Sequence, residues 1–474
     1  GAGQRVGAFQ PFDNTFTVAK SSLFDDANSE SLTRSFSTPT SVNVWTFSTW
    51  LKRGDSTATG VVTLFAGTYN RDLLYWNSGT YLRTMQNGVN VLNYGQYLED
   101  ASQWFHVMWT QNGTTATGYI NGVQAVTATG TNDTINSSGI THYIGSRATS
   151  AAPYDGYLAE TVFIDGQALA PSNFGEVDTS TNRWVPKAVA GLTFGNNGFY
   201  LNYADSSAVG NDVSGNNNDW TNNNTVVQVT DSPTTNIATF NPNSKASGMV
   251  LSNGNRKFVA GTNQNVHGTL ALPSTGKYYW EVNLDTASSG SIGVFLALNG
   301  GTEAMTTATS GWGTAVALYR AANGNVLVDG TSIFTISGVS AINTTWQVAV
   351  DLDNNKMWFG IDNTWMSSTA VTGGNPSTGA NPVLERDFSG YFPLFGNYSN
   401  TMTVDFDSAN WGYTPPTGFV ELSQDNLPGT DQFISAFSWI KNRDATDNHM
   451  LFDRVRGATK DIHSNDAAAE VTNV

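Results

Sequence analysis

The feature that most constrains this chain is the repetition of short apolar bursts between clusters of glycine, asparagine, serine and aspartate. In these bursts Val, Thr, Tyr, Phe and Trp alternate with other residues, which is typical of β-strands joined by turns. Long stretches with apolar residues at helical spacing are missing, so the sequence predicts an almost all-β chain. A length of 474 residues is enough for two to four domains at roughly 100–200 residues each.

The charge and the composition exclude several classes of function. The formal net charge of −16 creates an acidic surface that repels phosphate backbones, so we expect no nucleic-acid partner. No apolar run reaches the roughly 20 residues that a membrane span needs. The chain has no cysteine, and domains of this size can rely on their cores instead of disulfides. These features fit a protein that is made in a reducing cytoplasm and works outside a cell.

The stretch "DLDNNK" at 351–356 has the spacing of a calcium-binding loop. Asp351, Asp353 and Asn355 stand at the first, third and fifth positions of such a loop. However, Lys356 occupies the place where the loop needs glycine for its sharp turn. The flanking residues alternate as in strands, whereas an EF-hand needs helices. The sequence therefore favours a β-hairpin turn over a calcium site here.

This hairpin and three other pieces resemble the SPRY domain family. "DLDNNK" followed by "MWFGIDNTW" is similar to the family's D-x-D-N-G-K-x-W-F-G-x-N-G-x-W hairpin, with Asn355 and Asp362 in place of its Gly and second Asn. "GKYYWEVNLDT", "SIGVFLAL" and the closing strand with its Pro-Pro-x-Gly-Phe exit follow the family's order and spacing. The resemblance covers about 240–425. It implies a β-sandwich that binds partners through its loops and is not an enzyme.

The first part of the chain resembles the laminin-G/concanavalin-A-like jelly roll. The motifs of that family stand at Trp104 and His106, Asn121-Gly122, Ile144-Gly145 and Gly156-Tyr157-Leu158. The resemblance implies a jelly-roll sandwich over 21–185. Both faces of "QWFHVMWTQ" (103–111) are apolar, as expected for a central strand that is covered on both sides.

Three further segments complete the predicted domain order. An arm at 1–20 has no clear period and is interpreted either as a flexible tail or as a strap on a neighbouring subunit. The Asn/Gly-rich segment 186–239 joins the SPRY-like sandwich at 240–425, and we expect it to be partly ordered and to dock on a neighbour. Residues 426–474 form the start of a further module. Because about 45 residues rarely make a stable β-domain alone, we expect more chain to follow or another subunit to complete it.

Two short phrases resemble structural proteins of bacteriophages. These are "DVSGNNNDW" (212–220), which there follows a laminin-G-like domain, and the run W-I-K-N-R, H-x-x-x-D-x-x-R-G and S-N-x-x-A-E within 433–474. The resemblance implies a virion surface location, as a tail fibre, spike or capsid decoration. Its partners would be other virion proteins and sibling subunits, in a homotrimer that protects exposed strand edges.

The sequence offers little for catalysis. A glycoside hydrolase of this fold needs two carboxylates that face a cleft, typically as E-x-D-x-x-E, and no such run is present. Glu281 and Asp285 share a strand face and are interpreted as rim residues. There is no G-x-S-x-G, and His106 lies inside a strand, where a packed and hydrogen-bonded role is favoured. Clustered cysteine and histidine are missing, so zinc is excluded. We predict no catalytic residue.

Calcium and carbohydrate remain as candidate ligands. Relatives of the concanavalin-type fold often hold calcium at the sandwich rim, which makes Asp72 and Asp155 candidate ligands. Sugars stack on aromatic rings while amides and backbone groups bind their hydroxyls. Five aromatic residues in or beside loops are therefore glycan-binding candidates, although packing explains each one as well: Tyr69, Tyr75, Trp76, Trp312 and Trp365.

The sequence thus predicts two β-sandwich domains of the jelly-roll type in tandem plus a partial C-terminal β module. Its expected function is non-enzymatic adhesion, either to host glycans or to sibling subunits. Two alternatives stay open: a polysaccharide-degrading enzyme on the virion, and a cellular adhesin unrelated to viruses. A carboxylate pair about 5–10 Å apart in a groove would favour the enzyme.

Overall fold

The computed structural model describes most of the chain as β-strands in two compact units, one that extends to Leu427 and one that begins at Pro428. The described residues are 16–54, 61–67, 71–77, 81–96, 98, 100–130, 135–149, 151–179, 181–259, 264–286, 292–297, 316–320, 325–328, 331–335, 344–397, 401–428, 437–440, 450–453, 460–463 and 471–472. Within them the helical structure consists of short 3-10 turns at Asp26–Asn28, Pro171–Asn173, Ser408–Asn410 and Gln424–Asn426. The all-β prediction is confirmed.

The first sandwich consists of two large antiparallel sheets. Its strands, with those of the segment that follows, are β1 (Ser21–Phe24), β2 (Ser31–Ser35), β3 (Val44–Arg53), β4 (Val61–Ala66), β5 (Leu73–Asn77), β6 (Leu82–Gln86), β7 (Val89–Asn93), β8 (Phe105–Asn112), β9 (Thr115–Ile120), β10 (Val123–Thr129), β11 (Thr141–Ile144), β12 (Gly156–Asp165), β13 (Gly175–Val177), β14 (Trp184–Pro186), β15 (Phe199–Leu201), β16 (Thr221–Asn223) and β17 (Val227–Val229). One sheet has the order β10-β9-β8-β3-β12-β1-β17, and β15 also pairs with β12. The facing sheet has the order β16-β2-β11-β4-β5-β6-β7, and β13 and β14 form a separate ribbon.

The central strands of the first sandwich are covered on both faces. On β3, Trp45 and Phe47 point into the core between the sheets, where the ring of Phe47 stacks on Phe65 of the opposite sheet at 4.4 Å. The alternate residue Trp50 belongs to a second apolar cluster on the outer face of the same sheet. Because one face of β3 packs in the core and the other packs in the outer cluster, apolar residues occur on both faces of this strand.

Strand β12 contains a bulge at its centre. β1 pairs with residues 156–158 and β15 pairs with 161–163, and the register with β3 shifts between Ala159 and Val162. Glu160 lies in this gap with a φ of 50°, in the left-handed region that non-glycine residues seldom adopt. The bulge therefore places a glutamate between two strands that both pair with the same side of β12.

The Asn/Gly-rich segment 186–239 adds edge strands to the first sandwich, because β15 pairs with β12, β16 with β2 and β17 with β1. Its turns are closed by side chains. The carboxylate of Asp212 accepts backbone hydrogen bonds from Tyr200 at 2.8 Å, Ser214 at 2.9 Å and Asn218 at 2.8 Å. The high content of Asn and Asp thus supplies turn acceptors.

The N-terminal arm predicted at 1–20 is described only from residue 16 onward. Val18 is buried, and its N–H donates to the hydroxyl of Thr234 at 3.1 Å. The rest of the arm lies outside the described residues, so its two interpretations stay predictions.

The second sandwich has the same two-sheet construction. Its strands are β18 (Phe240–Lys245), β19 (Val250–Ser252), β20 (Lys257–Val259), β21 (Gln264–Gly268), β22 (Lys277–Thr286), β23 (Ile292–Ala297), β24 (Val316–Arg320), β25 (Asn325–Val328), β26 (Thr331–Thr335), β27 (Thr345–Asp351), β28 (Lys356–Ile361), β29 (Thr364–Trp365), β30 (Leu384–Glu385), β31 (Phe392–Asn397) and β32 (Thr401–Asp405). The sheet orders are β18-β21-β31-β23-β24-β25-β26 and β19-β20-β32-β22-β27-β28-β29, and β30 also pairs with β28.

The stretch "DLDNNK" is the turn between β27 and β28, as the hairpin interpretation predicts. Asn355 adopts a φ of 57° in this turn. The carboxylate of Asp351 accepts a hydrogen bond from the N–H of Asn354 at 3.1 Å and pairs with the ammonium group of Lys277 at 2.9 Å. Asp353 accepts from the N–H of Gly276 at 2.8 Å. These carboxylates therefore stabilise the turn and its neighbouring loop.

A buried ion pair joins the two sandwiches through the linking segment. The Nζ of Lys52 on β3 lies 2.9 Å from Asp231 and also donates to the carbonyl of Ile237 at 2.6 Å. The same carboxylate accepts hydrogen bonds from the indole N–H of Trp104 and the N–H of Ile237, both at 3.1 Å. Beside it, Tyr157 donates its hydroxyl hydrogen to the carbonyl of Gly254 at 2.8 Å.

The second unit contains a small antiparallel sheet in the order β33-β34-β35-β36. Its strands are β33 (Phe437–Ile440), β34 (Met450–Asp453), β35 (Lys460–His463) and β36 (Val471–Thr472). No helix among the described residues has the length and hydropathy needed to cross a bilayer.

Candidate functional site

Two of the predicted glycan-binding aromatics are core residues. Tyr75 is 2% exposed and Trp76 is 1% exposed. The hydroxyl group of Tyr75 donates to Asn90 at 2.6 Å, and the guanidinium of Arg53 lies 4.7 Å from the centre of a Trp76 ring. Neither ring is accessible to a sugar in this structure, because Trp76 lies in the core between the sheets and Tyr75 packs with Ala66 and Leu73 in a separate cluster.

Trp365 is the one predicted glycan-binding aromatic that the described residues place at a surface. It is half-buried beside Tyr279, with ring centres 6.2 Å apart, and belongs to a cluster that also contains Trp411. Trp411 was not predicted, because it lies far along the chain from Trp365. Tyr69 and Trp312 lie outside the described residues, so the predictions for these two stand as they were.

His106 has the buried, hydrogen-bonded role that its strand position favours. Its Nε2 lies 2.8 Å from the hydroxyl of Ser48, and its Nδ1 accepts from the indole N–H of Trp184 at 3.1 Å. Acceptance at Nδ1 leaves the hydrogen on Nε2, which then donates to Ser48. Complete burial lowers the pKa of His106 to about 3, so the ring is neutral. The Ser48–His106 pair is structural, since its serine is a hydrogen-bond acceptor.

The interpretation of Glu281 as a rim residue is wrong, because its side chain is buried. Its carboxylate is 1% exposed and accepts hydrogen bonds from the hydroxyl of Tyr279 at 2.6 Å and the N–H of Tyr413 at 3.0 Å through one oxygen. The other oxygen accepts from the N–H of Gly412 at 2.7 Å. Glu281 therefore anchors the segment that crosses the outer face of its sheet.

Asp405 stands opposite Glu281 on the adjacent strand. Its carboxylate accepts a hydrogen bond from the amide of Asn283 at 3.0 Å. Burial, opposed by the positive charge of Arg256 and reinforced by the charge of Glu281, raises the pKa of Asp405 to about 6. A raised pKa beside a second carboxylate is one feature of glycosidases. Here, however, Glu281 is 1% exposed and both of its oxygens accept hydrogen bonds from neighbouring groups, so its carboxylate does not face an open cleft.

A candidate cation site lies at one end of the first sandwich. Oxygens of Asp25, Asp26 and Asp155 approach to within 4.8 Å of one another. Carboxylates are the ligands that calcium prefers, so this set fits a hard cation. Asp25 and Asp26 come from the turn after β1, whereas Asp155 precedes β12. Sequence reasoning singled out Asp155 alone because only the pairing of β1 with β12 brings the other two beside it.

The cluster already has several donors. Asp25 accepts from the N–H of Ala27 at 3.1 Å, and Asp155 accepts from the N–H of Gly254 at 2.9 Å. Nearby Glu30 accepts from the N–H of Asp25 at 2.9 Å, and burial raises the pKa of Glu30 to about 7. The second predicted ligand, Asp72, is not part of the cluster; it is buried and accepts from the N–H of Asn87 at 3.0 Å.

Two open cavities lie on the described surface. One, of about 700 Å³, is formed on the first sandwich by Ser37, residues 192–196, Ser214 and Asn216. The other, of about 740 Å³, is formed on the second sandwich by Lys356 and the loops around 367–385. Both are lined mainly by polar groups, which suits a hydroxylated ligand better than an apolar one.

The sequence of the first sandwich matches a known family. Residues 26–172 match a family described as the concanavalin A-like lectin/glucanases superfamily. Residues 423–474 match a domain of unknown function. No curated protein matches the chain. The first sandwich thus has a concanavalin A-like jelly-roll fold, as its motifs predict.

Several solved structures are similar to parts of the chain. They include a candidate carbohydrate binding protein from Bacteroides ovatus (16% identity, 45% of this chain and 60% of that one, TM-score 0.34). The SPRY domain of human HERC1 is 16% identical, and the similarity covers 36% of this chain and 98% of that one with a TM-score of 0.27. Domain 4 of the GH43 arabinanase AbnA from Geobacillus stearothermophilus is 21% identical, and the similarity covers 27% of this chain and 64% of that one with a TM-score of 0.21. The chain spans less than two thirds of the Bacteroides protein. At these TM-scores the similarities carry no functional argument.

Proposed function

We propose that this chain is a non-enzymatic adhesion protein that binds carbohydrate through its concanavalin A-like sandwich. The observation that carries the proposal is the match of residues 26–172 to a superfamily of lectins and glucanases. The polar cavity on the same sandwich supports it. A small number of placed polar groups orients a ligand in its site, and the cavity offers hydroxyl and amide groups of that kind.

The glucanase half of the superfamily is the competing function. Hydrolysis needs two carboxylates that reach the bond to be cleaved. Glu281 and Asp405 are one such pair, opposite each other on adjacent strands, and Glu281 is held by three donors. Glu160 on the first sandwich is buried against the hydroxyl of Tyr200. These contacts support binding without cleavage.

The setting of this adhesion is proposed from the C-terminal phrases. The resemblance of 433–474 and of "DVSGNNNDW" to bacteriophage structural proteins supports a place on a virion surface, as a tail fibre, spike or capsid decoration. There the chain would form a homotrimer with sibling subunits and contact other virion proteins and a host glycan. Gold-labelled antibodies against the chain should bind purified phage particles, and particles that remain unlabelled would refute the virion setting.

Calcium is a second proposed ligand, at Asp25, Asp26 and Asp155. A bound cation would offset the repulsion among the three carboxylates and stiffen the turn after β1. These residues can supply the oxygens, and their position at the end of the sandwich supports a structural role beside the loops.

A glycan-array assay on the purified 1–474 chain tests the main proposal. The chain should bind one class of glycan in the presence of calcium and more weakly with a chelator, and mass spectrometry should find the bound sugars intact. Glu176→Gln, which alters an exposed residue that lines neither cavity, is the control. Release of shortened sugars would establish the enzyme instead, and absence of binding to any glycan would refute the lectin function.

A further inference from the structure

The cavity on the first sandwich is built by the segment that follows the concanavalin A-like domain. Residues 192–196 form one wall, Ser214 and Asn216 form another, and Ser37 closes the site from the turn after β2. These residues lie outside the matched range 26–172, apart from Ser37. The cavity is therefore an addition that this chain makes to the sandwich.

Among the residues that the structure describes, none with an ionisable side chain lines this cavity. The cavity on the second sandwich differs, since Lys356 and Glu385 both lie in its wall. An uncharged lining disfavours a phosphorylated or acidic ligand, because a buried or half-buried anion needs a cation or several donors. The first cavity is thus suited to a neutral molecule.

Two asparagine amides in the cavity are fixed by hydrogen bonds at their nitrogen atoms. The Nδ2 of Asn196 donates to the carbonyl of Thr38 at 3.2 Å. The Nδ2 of Asn216 donates to the carbonyls of Gly195 at 2.7 Å and Gly198 at 2.9 Å. Their Oδ1 atoms accept no hydrogen bond from any residue that the structure describes. The amide planes are therefore oriented in advance, and each keeps an acceptor for a ligand donor.

The remaining wall supplies an aromatic ring. Phe194 is half-buried and packs against the outer-face cluster that contains Met108, Val162 and Ile164. Its backbone is held because its carbonyl accepts from the N–H of Asp165 at 2.8 Å. The next residue, Gly195, has a φ of +73°, and a Cβ there would lie 2.0 Å from the carbonyl oxygen of Asp165. Only glycine fits, so the ring and the Asn196 amide are held on a rigid turn.

We infer that this cavity is a binding site for a neutral saccharide, with Phe194 under an apolar sugar face and the Oδ1 atoms of Asn196 and Asn216 accepting from its hydroxyls. The inference rests on the proposed carbohydrate binding and adds the site and the charge class of the ligand. A ring beside two fixed acceptors matches the two chemical faces of a pyranose: C–H groups on one side and O–H groups at its edge.

Two substitutions test the site without disturbing the core. Phe194→Leu keeps an apolar side chain against the cluster but removes the aromatic face. Thr193→Trp places a bulky side chain in the cavity from an exposed position. Ser368→Trp is the matched control, because it fills the other cavity from an equally exposed position. Melting temperatures and near-ultraviolet circular dichroism of all variants check the fold.

The probes are arrayed neutral oligosaccharides (glucans, mannans and galactans) and acidic ones (sialylated and uronic-acid glycans). We expect the wild-type chain and Ser368→Trp to bind a neutral glycan equally, and Phe194→Leu and Thr193→Trp to bind it at least tenfold more weakly. If the wild type binds a neutral glycan and both cavity variants bind it as well, the site is refuted while the lectin function stands. Binding restricted to acidic glycans refutes the charge class. Failure of the wild type to bind any glycan refutes the site and the proposed function together.

Discussion

Each sandwich buries a glutamate on a covered outer face, and the two sandwiches treat the charge differently. In the second sandwich, Glu281 lies in a regular strand and accepts three hydrogen bonds, two of them from successive backbone N–H groups. In the first sandwich, Glu160 lies in a bulge, and among the described residues its carboxylate accepts a hydrogen bond from Tyr200 alone. Burial then raises the pKa of Glu160 to about 7.

The two sites differ in the number of donors that contact the buried carboxylate. Several donors favour the charged form of a carboxylate, whereas burial with few donors favours its protonated form. Asp231 is a third case, since its charge is met by the ammonium group of Lys52. Substitutions at these positions should therefore change the stability of the fold by different amounts and in different directions.

The largest effect is expected from Lys52→Met. Asp231 would then be a buried charge without its cation, and the carbonyl of Ile237 would lose its donor. Removing one partner of a buried pair costs about 3–5 kcal/mol. Urea unfolding followed by tryptophan fluorescence measures the loss.

The controls for this change are one exposed lysine and one double variant. Lys187→Met, in the same sandwich but at the surface, should change stability by less than about 0.5 kcal/mol. Lys52→Met with Asp231→Asn should recover part of the loss, because asparagine can still accept from Trp104 or Ile237. A single variant as stable as the wild type would show that the pair does not join the sandwiches.

A smaller loss is expected from Glu281→Gln. The amide nitrogen of glutamine would face a backbone N–H of Gly412 or Tyr413, so one buried donor would lose its acceptor. We expect a destabilisation of about 2–3 kcal/mol. Protease cleavage within 406–420 should also accelerate, since this segment is anchored there. Glu385→Gln is the exposed control. Unchanged cleavage would contradict the anchoring role.

In contrast to the two changes above, Glu160→Gln is expected to stabilise the fold. The pKa of Glu160 is about 7 in the folded state and 4.5 ordinarily. Between pH 4.5 and 7 its carboxyl group is therefore protonated in the folded chain and ionised in the unfolded chain. Stability from this group is therefore fully present below pH 4.5 and is lost as the pH rises through 7. Glutamine removes that loss, so we expect a gain of about 2–3 kcal/mol at pH 8 and of less than about 1 kcal/mol at pH 5.

Melting temperatures from pH 5 to 8 check this prediction. The wild type should become less stable toward pH 8, and Glu160→Gln should show a flatter profile. Glu176→Gln, an exposed glutamate of the same sandwich, should follow the wild-type profile. A Glu160→Gln profile parallel to that of the wild type would show that Glu160 does not carry the pH dependence.

The smallest change in stability is expected from calcium at Asp25, Asp26 and Asp155. A bound cation would stabilise these carboxylates, as hydrogen-bond donors stabilise the carboxylate of Glu281. Calcium at millimolar concentration should raise the melting temperature by a few degrees, in line with ligand-linked stabilisation of about 1–2 kcal/mol. Asp155→Asn should abolish the increase, while Asp72→Asn should retain it. An increase that survives Asp155→Asn would place the ion elsewhere.

Much of the architecture followed from local pattern. Period-two alternation in β8 predicts a strand that is covered on both faces, and "DLDNNK" predicts the turn that Asn355 makes. The motif residues of 104–158 predict the concanavalin A-like sandwich. The aromatic candidates show the limit of such patterns, because Tyr75 and Trp76 are in the core and Trp365 is at the surface, although all three lie in strands.

The sequence by itself determined the strands, the turns and the class of fold, because the alternation of apolar residues and the turn preferences of Asn, Asp and Gly act over a few neighbouring residues. Only the tertiary structure decided which charges are compensated and where a cavity forms. Glu160 accepts a hydrogen bond from Tyr200, and Asp155 lies beside Asp25 through strand pairing. Asn216 donates to the carbonyl of Gly195, across a folded loop. These contacts join residues that are distant in the chain, and burial of a shared face, rather than any local preference, selects them.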